Sequence, residues 1–127
     1  MNPLIREWIE KAEGDFTTTR RELRARGSPN YDAACFHAQQ VAEKYLKAVL
    51  LDHGQNIPKT HQLIDLLALC IGINGSYELV YADLAVLDGY AVRFRYPGQS
   101  ADKSEAKGAY RSAKAVRAFM RSKLGLE

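Results

Sequence analysis

Strand signals are nearly missing from this chain. No stretch sustains a two-residue alternation bounded by turn residues, and the Asn74-Gly75 pair lies between helical patterns rather than between β-branched runs, so no sheet is expected. Cysteine is scarce. Cys35 and Cys70 sit alone inside apolar periodic segments and read as buried thiols in a reducing compartment, not as a disulfide framework. They lack zinc-ligand spacing, and His37, His53 and His61 form no ligand motif, so no metal or other cofactor is expected. The longest apolar run, Leu63 to Ile73, is too short to span a bilayer and is interrupted by Asp65. There is no leader pattern either, because the N-terminus runs directly into an amphipathic segment carrying Arg6, Glu7, Glu10 and Lys11. A cytoplasmic protein is expected. Glycine-rich phosphate loops of the GxxxxGK[ST] and GxGxxG kinds are lacking, as is a GxSxG nucleophile turn. The net charge of +3 is too slight to imply nucleic acid by itself, so the placement of charge matters more than its sum.

Helical spacing fills the space that these absences leave. With 46% apolar and 26% charged residues the composition is globular, and 127 residues suit a single domain spanning positions 1–127. Ile5, Trp8, Ala12, Phe16, Thr19 and Leu23 recur at three- and four-residue steps and mark a first helix, ended by Gly27-Ser28-Pro29 with the glycine in a left-handed cap. Asn30 is placed to cap a second helix with Tyr31, Ala34, Cys35, Ala38, Val41, Ala42, Tyr45 and Val49 on its apolar face, stopping at Gly54. His53 at its end suits the helix dipole. Thr60 is expected to cap a short third helix running from His61 to Cys70. Ser76 would cap a fourth, with Leu79, Val80, Leu84, Leu87, Ala91 and Phe94 facing inward, and Pro97-Gly98 would end it. Ser100 would cap a fifth, from Ala101 to Leu124, packed through Ala106, Ala109, Ala113, Val116 and Met120. Short connections favour antiparallel neighbours. The expected fold is all-α: an up-and-down bundle of about five helices, four long and one short.

Ordered motifs narrow this further. The second helix contains Ala33, Phe36, Ala38-Gln39-Gln40, Ala42-Glu43-Lys44, Leu46-Lys47-Ala48 and Leu50, in the pattern AxxFxAQQxAEKxLKAxL. It is preceded by a WxxxAExDF opening from Trp8 to Phe16, and followed by Pro58, Thr60-His61 and Leu63, then by Arg95-Tyr96-Pro97. Taken in this order, across nearly the whole chain, the motifs resemble the HEPN domain family, named for nucleotide binding in higher eukaryotes and prokaryotes. The resemblance implies a helical bundle that forms two-fold dimers. Stand-alone prokaryotic members are similar to subunits encoded beside a minimal nucleotidyltransferase, as in toxin–antitoxin pairs, and several branches are metal-independent ribonucleases.

Those ribonucleases carry Arg, four to six residues, then His, because Arg holds the scissile phosphate and His moves a proton. None of the three histidines here has an Arg at that distance before it, and no His follows Arg93 or Arg95. A nuclease pair would have to be assembled from positions distant in sequence, such as Arg95 with His37 or His61. Two other features are candidates for binding. His37, Gln40, Glu43 and Lys47 share a face of the second helix, either as a solvated stripe with a Glu43–Lys47 pair or as one wall of a groove completed by Arg93, Arg95 and Tyr96 for a nucleotide phosphate or an acidic partner. His61, near a helix start, either helps to hold an anion or packs the loop. Lys103, Lys107, Arg111, Lys114, Arg117 and Arg121 fall on one stripe of the fifth helix, which is either a solubilising face or a strip for RNA or an acidic partner. Three functions follow, in order of preference: a non-catalytic subunit that dimerises and partners a minimal nucleotidyltransferase, a ribonuclease toxin with a variant site, and a nucleotide- or RNA-binding module without turnover.

Overall fold

Asn2 starts the first helix: its side chain accepts the Leu4 N–H at 2.7 Å, and Pro3, which has no N–H to satisfy, occupies the first turn. The computed structural model describes residues 1–127. It contains α1 (Pro3–Arg24), α2 (Tyr31–Asp52), α3 (Leu63–Ile73), α4 (Tyr81–Leu87) and α5 (Lys103–Lys123), with a 3-10 turn over Gly75–Val80 leading into α4, and no strand. The all-α bundle expected from the sequence is present, but with three long helices and two short ones rather than four and one. No helix is long and apolar enough to cross a membrane.

The core is one connected cluster of 30 buried residues centred on α2, which packs against α1, α3, α4 and α5. From Val41 to Leu50 every residue of α2 except Lys44 is buried. Alanines are buried on both helices, Ala34, Ala38 and Ala42 on α2 and Ala106, Ala109 and Ala113 on α5, and bring little side-chain bulk to the interior.

The element ends depart from expectation in physically readable ways. Helix α1 leaves through extended Ala25, and the positive φ (49°) belongs to Ser28, not Gly27. A residue before proline is barred from the right-handed helical region, and Ser28 takes the turn on the other side. Helix α3 begins at Leu63, two residues beyond His61. Thr60 does accept the Gln62 N–H at 3.2 Å, but the Leu63 N–H is held by Asp88 Oδ1 at 3.0 Å, a cap delivered from the far end of α4. For α5 the cap is Asp102 rather than Ser100, in a reciprocal capping box with Glu105.

The fourth segment differs most. In place of a continuous helix to Phe94, Asn74 caps a 3-10 turn, α4 lasts seven residues, and the chain breaks at Asp88 and Gly89, the latter at φ 90°. A 3-10 turn has about three residues per turn, so side chains three apart share a side. Tyr77 and Val80 accordingly point inward, and Leu79, expected in the core, is 77% exposed. Phe94 still reaches the core, through a series of turns.

Two substitutions separate the arrangements. Leu84→Ala should cost about 2–5 kcal/mol, as for a fully buried leucine, and Leu79→Ala less than about 0.5 kcal/mol. Urea midpoints for the pair give the answer, and equal losses would mean that Leu79 is in the core.

Candidate functional site

Because α2 packs against α1, α3, α4 and α5, its polar residues cannot all reach water. Glu43 is 4% exposed and Lys47 6%. Glu43 Oε2 accepts from Lys47 Nζ at 3.1 Å and from His61 Nδ1 at 3.0 Å, and Oε1 accepts from Gln39 Nε2 at 3.2 Å. The Gln39 amide also donates to the His61 carbonyl at 3.1 Å, and Gln40 donates to Gln39 Oε1 at 2.7 Å. The Lys47 ammonium lies 5.7 Å from the centre of the Trp8 ring. No buried polar side-chain atom lacks a partner. Burial pushes the Glu43 carboxyl upward, but hydrogen bonds from His61, Gln39 and Lys47, with the Lys47 charge, outweigh it and hold the group below the ordinary carboxylate range. The expected stripe is thereby corrected: Glu43 and Lys47 are interior and unavailable to a ligand, whereas His61, although largely exposed, closes over the buried carboxylate.

Two further clusters join α1 to the rest. Asp15, 8% exposed, accepts from His37 Nδ1 at 2.7 Å and from Lys44 Nζ at 2.6 Å. Glu13 receives a bidentate Arg117 at 2.7 and 2.6 Å and the Tyr45 hydroxyl at 2.6 Å, and Arg121 Nη1 donates to that hydroxyl at 3.2 Å. Burial raises the Glu13 carboxyl, and the Arg117 and Tyr45 hydrogen bonds lower it below its ordinary value overall. Burial, reinforced by the bond to Glu13, pushes Tyr45 up to about 12. Arg117 and Arg121 thus leave the expected stripe. Lys103, Lys107, Arg111 and Lys114 remain exposed on it.

The other candidates do not form one groove. His37 and Arg95 line a surface depression of about 450 Å³ together with Asn30, Asp32, Phe36 and Phe94. His61 lines a different one of about 420 Å³ with Gln62, Asp88 and Val92. Arg93 is engaged, 4.9 Å from the centre of the Phe94 ring and 3.7 Å from Glu105. Arg95 donates its backbone N–H to the Val92 carbonyl at 3.3 Å, its side chain has no hydrogen-bond or ion-pair partner, and Tyr96 is 71% exposed. His53 meets the Tyr77 hydroxyl at 3.3 Å. Sequence reasoning passed over Asp15 and Glu13. The legible signal was the placing of an acid, Asp15, directly beside Phe16 and near Ala12 and Thr19 on the apolar face of α1.

A helical bundle whose central helix turns acids and cations inward, with few functional groups left at the surface, is the class of protein these features define. A profile of the HEPN domain matches residues 5–123, and the chain belongs to that family. It is similar to TT1696 from Thermus thermophilus, at 30% identity and a TM-score of 0.77 over 94% of this chain and 97% of that one. An archaeal HEPN homologue, ST0689, shares the fold at 23% identity and a TM-score of 0.75, over 94% and 96% of the two chains. No curated protein matches the chain.

Glu43→Leu, which strands the Lys47 charge, should destabilise by about 3–5 kcal/mol, and Glu43→Leu/Lys47→Met should cost less than the single change. Denaturant titration measures both. Glu43 and Glu13 titrate lower folded than unfolded, so between the two values the unfolded chain binds more protons and stability rises with pH. Their contribution is complete above the unfolded value of about 4.3 and is lost as pH falls through the folded values. Urea midpoints should hold from neutral pH down to that region and then drop, less steeply in Glu43→Gln.

Proposed function

We propose that the chain is a non-catalytic HEPN subunit that dimerises and pairs with a minimal nucleotidyltransferase. The partner's identity rests on the motif resemblance. The observation that favours a protein partner over RNA is the surface of the segment from Thr60 to Val92. That segment holds Asp65, Glu78, Asp83 and Asp88 and no Lys or Arg, and none of these acids is in an ion pair. The same segment exposes Leu69, Tyr81, Val86 and Val92. An acidic, partly apolar segment repels a phosphate backbone and suits a protein surface.

The ribonuclease reading has one supporting observation, the depression shared by His37 and Arg95. It lacks a second proton-transfer group there. Asp32, the remaining candidate, already accepts the Ala101 N–H at 2.6 Å through Oδ1, and His61 lines the other depression.

Co-expression with a minimal nucleotidyltransferase encoded beside the gene is expected to yield a stable complex. Leu69→Glu/Val86→Glu, altering side chains already in water, should keep the helical signal and lose the partner. A wild-type chain that recovers no such partner and elutes as a monomer would refute the proposal, and cleavage of RNA by the isolated chain would favour the ribonuclease.

A further inference from the structure

We propose that the seam between the C-terminal half of α1 and the N-terminal half of α5 is a docking surface for double-stranded DNA, held through the phosphate backbone and without regard to sequence. This does not depend on the partner proposed above. At the seam Phe16 stacks on Tyr110, with ring centres 5.6 Å apart and planes 13° apart. The guanidinium carbons of Arg20 and Arg117 lie 5.6 and 4.9 Å from the centre of the Phe16 ring. Glu13 meets Arg117 and Phe16 meets Tyr110, so the two helices run antiparallel here, and Arg24 of α1 comes to the end where Lys103 starts α5. That end is tied twice: Glu22 accepts the Asn30 N–H at 3.4 Å, and Asp32 accepts the Ala101 N–H at 2.6 Å.

Positive charge at this seam is uncompensated. Arg20 and Arg24 on α1, with Lys103, Lys107, Arg111 and Lys114 on α5, form no ion pair, and all except the half-buried Arg20 are exposed. The acids among them are already engaged: Glu22 by Asn30, Asp102 by the Glu105 N–H at 2.7 Å, and Glu105 by Arg93 at 3.7 Å. These unpaired cations outnumber the net charge of +3 of the whole chain, so the remainder of the molecule is acidic on balance. On α5 the four cations lie within about 80° of arc and follow one another at rises of about 4.5–6 Å. The α1 row stands on a neighbouring axis, about 8–10 Å away for packed helices. Two such rows match in scale the two phosphate strands that border a B-DNA minor groove about 6 Å wide, and counterion release drives the contact. Single strands are not favoured, because Tyr110, the aromatic of the seam exposed in part, is already stacked. No Asn or Gln occurs from Phe16 to Arg26 or from Lys103 to Lys123 to read base edges. Duplex RNA, recognised through 2′-hydroxyls across a wide, shallow groove, fits two close rows of point charges less well.

A fluorescein-labelled DNA duplex of mixed sequence is the probe, followed by anisotropy between about 50 and 200 mM NaCl. The dissociation constant should rise about a hundredfold over that range, a log–log slope of about −3 to −4 for four phosphate contacts. Lys107→Gln/Lys114→Gln alters side chains already in water and should keep the helical signal. It should make the slope shallower by about 2 and weaken binding about tenfold at the lower salt. Lys59→Gln, which removes a cation from the loop after α2, should change neither. A duplex of unrelated sequence should bind equally well. A single DNA strand, a duplex RNA, and polyglutamate as the stand-in for an acidic protein should each bind at least about tenfold more weakly. A slope no steeper than about −1, or one that the double variant leaves in place, would overturn the proposal. So would a single strand, an RNA duplex or polyglutamate that binds as tightly as the DNA duplex.

Discussion

A carboxylate buried in the middle of α2 sets the terms for much of this molecule. Taking an ion out of water costs several kcal/mol, and the loss is offset only when each oxygen has good partners. Glu43 obtains them from three places: Lys47 one turn along, Gln39 one turn back, and His61 from the loop after the helix. The third partner has a topological consequence. It ties the connection between α2 and α3 to the centre of the bundle, and the Gln39 bond to the His61 carbonyl ties it twice. Leu63, two residues on, then starts α3 under the side chain of Asp88, so the start of α3 and the end of α4 are fastened together.

The same solution recurs where α1 crosses α2. Asp15 and Glu13 each gather partners from other helices: His37 and Lys44 from α2 for the first, Tyr45 from α2 and Arg117 from α5 for the second. Three carboxylates thus collect Lys47, His61, His37, Arg117 and Arg121, which a reader of the sequence would assign to ligand binding. The polar surface that these clusters leave over consists of Arg95, Tyr96, the outer edge of His37, the first four cations of the α5 stripe, and the acids of the segment around α3 and α4.

A buried pair of this kind is weak evidence for stability, since apolar replacements of similar volume are often as good. Its effect here is on arrangement. The acids of α1 fix how that helix lies against α2 and α5, and the Asp15 bond decides which nitrogen His37 turns to the surface. The contact that fastens α1 thus also orients the exposed edge of that ring.

Periodicity and capping chemistry are local properties. For that reason Ile5 to Leu23, the Asn30 cap and the alanine-rich face of α5 were legible in the amino-acid sequence, as was the HEPN family from the order of its motifs. Leu79 was not legible, because a 3-10 turn and an α-helix share similar residue preferences and differ in which side chains they turn inward. Neither was the fate of Glu43, Lys47, Arg117 and Arg121. A stripe of charge on one helix reads the same whether water or another helix lies against it, and only the packing of α1, α3, α4 and α5 around α2 decided which. His37 and Arg95 are far apart along the chain, and their shared depression came from the fold alone.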